Sequence, residues 1–511
     1  MLSYFFQKLK AIRLDVGALI IMAILAIFLL RFEVALLHYP FAWELTENEN
    51  VVFTQQIATH QALYRPLTTP PYLFAIYPPL FPIIAQTLIP ITKSVLLANR
   101  LIALFATVTT ILLVLHLLKK LPQKKLSQLT FFSLLVFFPA TTFLLFGRTD
   151  SVYIAASVAT VFFLYLYEKA LHQGKTTSVY LGLAVIASLG AVMAKQPGII
   201  LPITVLATVI YYFWRNRNKK IGRQAIVVGG IYSLSAVLIL ITPNFYSNVF
   251  QGANQIYGIG LSQWSYLIQL MKIYTLQFGG VLVCAFLGLR YWVVHIQRKD
   301  FEIWFAGGCW FILSLLLTLK IGLNRGASIT SFLGLFYASI LLVPYGLRWL
   351  TQRFNVSRAT LQLVVGGVIL GQLAMQLGHF QTLRNIRQPN PLDQQIAQAL
   401  EKDIQKINGE ILTERADTIL IRADKEPQLE ASSFQALTES DVLPIVKEII
   451  INDLSNRITK KDFGAIITLG PESNLTKLLP IAGFYRKQAT YPIGYIHQPD
   501  TKIAHTLWLP Q

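Results

Sequence analysis

The stretch Trp43-Glu44-Leu45-Thr46-Glu47-Asn48-Glu49-Asn50 places three carboxylates within six residues, just beyond the first long apolar run of the chain. Working outward, that run extends from about Leu14 to Leu37, with Lys8, Lys10 and Arg13 before it and no small-residue cleavage site after it. A bilayer core takes about 20 apolar residues, and positive charge stays on the cytoplasmic side. The run therefore reads as an uncleaved first span with its N-terminus inside, which puts the acidic stretch outside. Beyond the acids, Tyr77-Pro78-Pro79-Leu80-Phe81-Pro82 opens an apolar segment that ends near Ile89. It is short for a span and reads as an interfacial or re-entrant helix. Residues 38–94 are then the first outer loop.

The remaining apolar runs extend the alternation. Spans are expected at about Val95–Leu118, Gln128–Phe146, Ser151–Tyr167, Ser178–Ala194, Pro197–Trp214, Gln224–Thr242, Ile273–Val294, Phe301–Leu319, Ser328–Leu347 and Leu361–Leu377. The loops this assigns to the inside carry Lys119 to Lys125, Lys169 with Lys175, Arg215 to Arg223, Arg298 with Lys299, and Arg348 with Arg353 and Arg358. The fold class is an α-helical polytopic membrane protein of about eleven spans. Its membrane domain covers residues 1–378, and 379–511 form a C-terminal extracytoplasmic soluble α/β domain. In that tail an amphipathic helix is expected from Pro391, with Leu392, Ile396, Leu400, Ile404 and Ile407 on one face. Strand-like runs at Thr418–Ile421 and Ala465–Leu469 bracket a helix near Val442–Ile451, and Tyr491–Ile496 reads as a final strand.

Composition agrees with this layout. Of the 511 residues 54% are hydrophobic and 14% charged, and the mean hydropathy is +0.52. The formal charge of +19 is uneven: residues from His379 onward carry 15 Lys and Arg against 16 Asp and Glu, the preceding part 29 against 9. Basic residues gathered in alternate short loops follow the charge rule of membrane topology, not a nucleic-acid groove, so no nucleic-acid partner is expected. Two cysteines, both in apolar segments, leave no disulfide framework, and no His spacing matches a zinc motif.

Chemistry is sought on the outer side. Carboxylates beside a bilayer are unfavourable unless hydrated, paired or used, and the first outer loop holds Glu44, Glu47 and Glu49. In a helix Glu44 and Glu47 share a face, whereas Glu47 and Glu49 diverge. A carboxylate held beside a hydroxyl acts as a general base. The same loop holds His60, the aromatic and basic pair Tyr64-Arg65, and Tyr77. Outer turns supply Arg148-Thr149-Asp150, Lys195-Gln196-Pro197-Gly198 and Arg325, cations that either snorkel to headgroups or bind an anionic group such as a phosphate. For Asp150 a place in the first turn of a helix, where an acid offsets the dipole, stands beside a catalytic role.

An acid in the first outer loop, a helical segment ending in Leu63-Tyr64, then Tyr77-Pro78-Pro79-Leu80, Arg148-x-Asp150 and Lys195-Gln196-Pro197-Gly198 at later outer turns, together resemble the polytopic glycosyltransferases of the C-type fold. These include the protein O-mannosyltransferases and the lipid A aminoarabinose transferases. The resemblance implies a polyprenyl-phosphate sugar donor, a glycan, lipid or protein acceptor, and transfer on the outer face of a bacterial inner membrane. It implies a catalytic carboxylate at Glu47, counting back from Ile57 and Tyr64, and basic outer residues at the donor phosphate. The family's preceding Asp is replaced here by Thr46, which leaves Glu44 or Glu49 for a second role. A divalent cation is compatible with the sequence and not required by it. The competing readings are a lipid-linked sugar flippase or transporter, an oligosaccharide ligase or polymerase, and an inactive transferase-like scaffold. The loop from Pro243 to Gln263 lacks the Arg and His that a ligase would call for.

Overall fold

The computed structural model describes residues 27, 30–31, 33–121, 144, 146–252, 264–296, 305–323, 329–355, 360, 391–430, 434, 437, 443–470, 473–493 and 504–511. Helix α1 (Leu45–Ala58) begins inside the acidic stretch, with the Glu44 carboxylate accepting from the Glu47 N–H as its N-cap. After a loop come two short helices, Leu80–Gln86 (α2) and Ile89–Thr92 (α3), in place of a span. Long apolar helices follow: α4 (Val95–Lys120), α5 (Thr149–His172), α6 (Ser178–Ala194), α7 (Ile200–Asn216), α8 (Lys219–Ile241), α9 (Trp264–His295), α10 (Phe305–Ile321) and α11 (Leu333–Phe354). Among the described residues six helices are long and apolar enough to cross a membrane, and α6 and α10 are shorter apolar helices. The spans expected at 14–37, 128–146 and 361–377 fall wholly or mostly outside the described residues.

One large apolar cluster joins these helices. Where α9 and α11 cross, backbones meet directly: a Cβ on Gly288 would lie 2.3 Å from the Leu342 carbonyl oxygen, and one on Gly346 2.0 Å from that of Cys284. Only glycine fits such an approach.

The tail is a small α/β unit. Helix α12 (Pro391–Gln405) buries Ala397, Leu400 and Ile404 and leaves Leu392 exposed. The sheet has the order β1 (Glu410–Thr413), β2 (Phe463–Leu469), β4 (Ala504–Pro510), β3 (Tyr485–Pro492), with β1 parallel to β2 and the other pairs antiparallel. The strand expected at Thr418–Ile421 is instead helix α13 (Asp417–Arg422), and the first strand lies just before it. Asp417 sits in the first turn and the run is too short for periodicity to separate helix from strand. The helix expected near Val442–Ile451 is α14, Pro444–Thr459. Of the final strand expected at Tyr491–Ile496, Tyr491 and Pro492 close β3, residues 494–496 lie outside the described residues, and the last strand is β4.

Loop and tail share their interior. Leu36, Tyr39, Phe41 and Trp43 pack in one cluster with Leu400, Ile404, Ile419 and Leu420 of the tail. Further along, Tyr72, Phe74 and Ile76 join a second cluster with Leu412, Leu429, Phe463 and Ile466, while the alternate Leu73 and Ala75 pack with Val52 and Phe53 of α1. That two-residue alternation is extended backbone, and Tyr72 bridges Leu429 as a strand would. Asn48 of α1 completes the junction, donating to Asp417 Oδ2 (2.6 Å) and accepting from the Thr418 N–H (2.8 Å).

Candidate functional site

The acids of the first loop diverge as soon as α1 forms. Glu47 and Glu49 are two residues apart, about 200° around a helix, so they face different neighbours. Glu47 is 0% exposed and turns toward α4, where Arg100, 1% exposed, grips it through Nε to Oε1 (2.7 Å) and Nη2 to Oε2 (2.9 Å). The Trp43 N–H (2.9 Å) and the Gly147 N–H (3.3 Å) also donate to this carboxylate. Gly147 reaches it because a Cβ there would stand 2.7 Å from Asn99 Cβ. The remaining Arg100 donors go to the carbonyls of Leu36, Tyr39 and Phe41. Arg100 thus folds the loop around itself, and both oxygens of Glu47 are occupied.

The other two acids belong to a second group. Glu44 Oε1 accepts from Arg148 Nη1 (3.2 Å) and from the Thr46 hydroxyl (3.3 Å). Arg148 Nε donates to Asp150 Oδ2 (3.2 Å), and Lys195 Nζ to Asp150 Oδ1 (2.6 Å). Lys195 also lies 5.5 Å from the centre of the Tyr77 ring. Burial, and after it the charges of Glu49 and Asp150, push the Tyr77 hydroxyl far above its ordinary range. Glu49, 8% exposed, is the most accessible of the three glutamates.

Each basic group is positioned by its own turn. Arg148 is the N-cap residue of α5 and Asp150 lies in its first turn, where the carboxylate also meets the helix dipole. Lys195 ends α6, and a 3₁₀ turn, Gln196–Ile199, leads into α7. Gly198 is required there, since a Cβ would lie 2.3 Å from the Ala191 backbone. Gln196 Nε2 donates to the carbonyls of Ile76 and Val249 (3.0 Å), which ties the Lys195 turn to the residue before Tyr77.

The sequence-derived set therefore separates. Glu44, Tyr77, Arg148, Asp150 and Lys195 form one group, Glu49 adds its charge to the field at Tyr77 and Arg148, and Glu47 stands apart with Arg100. Tyr64 supports the group from outside, its hydroxyl donating to the Tyr77 carbonyl (3.0 Å) and its ring edge-on to Phe245. Arg65 donates to the Ala62 carbonyl (3.1 Å), and His60, exposed and at φ 58°, ends the turn after α1. Arg325 lies outside the described residues. Arg100 escaped the sequence reading, although an arginine within an apolar run signals a buried partner. Among the described residues no three His, Cys, Asp or Glu side chains converge as a metal site.

Comparison with known proteins bears on this arrangement. The family described as dolichyl-phosphate-mannose-protein mannosyltransferase matches residues 77–246, which hold Tyr77, Arg148, Asp150 and Lys195 and exclude the three glutamates. ArnT from Cupriavidus metallidurans, solved bound to undecaprenyl phosphate, is similar in fold with a TM-score of 0.55 and 11% identity, over 96% of this chain and 98% of that one. Its apo state gives 0.57 and 11%, over 97% and 98%. The archaeal oligosaccharyltransferase AglB from Archaeoglobus fulgidus, in complex with an inhibitory peptide and a dolichol-phosphate, gives 0.53 and 12%, over 97% of this chain and 76% of that one. No curated protein matches the sequence. The chain thus resembles the polytopic C-type glycosyltransferases, in sequence over residues 77–246 and in fold over nearly its whole length.

Proposed function

We propose that this protein is a membrane glycosyltransferase that moves a sugar from a polyprenyl-phosphate donor to a hydroxyl of a glycan, lipid or protein acceptor. The reaction takes place at the membrane face that carries the 38–94 loop and the tail, the outer face by the charge rule. The observation that carries this reading is the meeting of Glu44, Arg148 with Asp150, and Lys195 in one chain of buried ion pairs drawn from three distant segments. A carboxylate beside fixed cations at a bilayer surface suits a donor that is both lipid and phosphate.

In the proposed step the acceptor oxygen attacks the anomeric carbon while Glu49 takes its proton. The bond from that carbon to the phosphate oxygen breaks, and the electron pair leaves on polyprenyl phosphate. Direct displacement inverts the anomeric carbon. Arg148 and Lys195 stabilise the leaving phosphate, each exchanging part of its contact with Asp150 for a phosphate oxygen. Glu44 holds Arg148 in place. Glu47, named by the family spacing, serves as the brace for Arg100, since its oxygens are taken by N–H donors.

The test is transfer of labelled sugar from membrane-extracted polyprenyl-phosphate sugars by the purified protein. Transfer with inversion is expected. No transfer from any donor pool, with donor lipid crossing the bilayer in proteoliposomes, would replace the enzyme with a flippase.

A further inference from the structure

A cleft of about 200 Å³ lies between α1 and the tail. Gln55, Gln56 and Gln61 line it from the loop, and Asp424, Lys425 and Glu426 from the tail. Gln56 is 3% exposed, and neither its Oε1 nor its Nε2 has a hydrogen-bond partner. A buried side-chain amide left open on both atoms is unfavourable, so native proteins retain one where a water or ligand satisfies it. Two of the charges already have partners: Glu426 accepts from Gln61 Nε2 across the cleft wall (2.8 Å), and Lys425 donates to the Ile407 carbonyl (2.8 Å).

Helix geometry links this cleft to the group described above. Glu49 and Gln56 are seven residues apart, on the same face two turns on, with Val52 between them. At 1.5 Å per residue the cleft lies about 10 Å along the axis from Glu49. A buried amide with an acceptor and a donor side by side, neither paired within the protein, fits adjacent hydroxyls once the cleft is filled, since these both donate and accept. The two lining carboxylates against one lysine disfavour an anionic occupant.

We infer that this cleft is a subsite for a neutral, hydroxyl-rich sugar unit of the acceptor, so the acceptor is a glycan. The inference rests on the transferase reading for the word acceptor, and its test is kept separate from transfer. Full-length fluorescent protein in detergent, without donor, is applied to an array of neutral and anionic glycans and of peptides. The expected result is retention on neutral glycans, weakened about tenfold or more in Gln56→Leu, which fills the space and removes both polar atoms. The half-buried Gln55→Ala and the exposed Asp424→Asn weaken retention as well and serve where Gln56→Leu does not fold. No retention on neutral glycans, retention on anionic glycans or peptides alone, or retention unchanged in the folded variants overturns the inference. A failed array leaves sugar transfer standing, and failed transfer leaves a positive array standing.

Discussion

Glu47→Gln separates a brace from a base. Each Glu47 oxygen accepts two N–H groups: Arg100 Nε and Gly147 on Oε1, Arg100 Nη2 and Trp43 on Oε2. A glutamine places its own NH₂ against one of these donor pairs and leaves the buried Arg100 without the carboxylate that it grips. Breaking one side of a buried pair costs about 3–5 kcal/mol, because the remaining charge is uncompensated. Replacing both residues by apolar ones does not restore stability, since the carbonyls of Leu36, Tyr39 and Phe41 also depend on Arg100. The assay is thermal unfolding in detergent, paired with protease cleavage within residues 38–60. A clear loss of stability is expected, with early cleavage of the loop. A variant that melts with wild type, resists cleavage and has lost turnover would refute the reasoning and return the base to Glu47.

Three further outcomes follow from the same geometry. Lys195→Gln removes one charge-assisted contact of the proposed phosphate site, so the KM for donor rises by about ten- to a hundredfold, as about 1.5–3 kcal/mol implies, and stability falls as well because Arg148 alone then faces both Glu44 and Asp150. Burial, and after it the charge of Glu430, holds the Asp417 carboxyl well above the usual carboxylate range. The folded chain then keeps a proton that the unfolded chain has lost, so this contribution to stability is complete below about pH 4 and falls as pH rises through the folded value. Melting temperature against pH is expected to be flatter in Asp417→Asn. Gly346→Ala drives a methyl group into the Cys284 carbonyl and destabilises the α9 and α11 crossing by about 1–3 kcal/mol or more, whereas Gly229→Ala, with open space around its Cβ, leaves the melting temperature in place.

The apolar runs read well because their physics is local. The expected span Ser178–Ala194 has the bounds of α6, and the run after Tyr77-Pro78-Pro79 is indeed short helix. Arg148 and Lys195 stood out in the sequence as cations expected to share an anionic group, and in the structure both pair with Asp150. What the sequence hid is set by tertiary partners. Counting from Ile57 and Tyr64 finds Glu47 but not its side of the helix, and the Arg100 that claims it lies 53 residues away. The Thr418–Ile421 run has strand residues but packs as a helix under Asn48. The shared core of loop and tail was invisible for the same reason: Tyr72, Phe74 and Ile76 find partners more than 300 residues on.

Purified wild type and Glu49→Gln, compared for donor binding and for sugar transfer, test the central claim most directly. The account predicts a folded variant that binds donor as wild type does and transfers about 10²–10⁴-fold more slowly, as loss of one general base requires. Transfer by Glu49→Gln at the wild-type rate would contradict it.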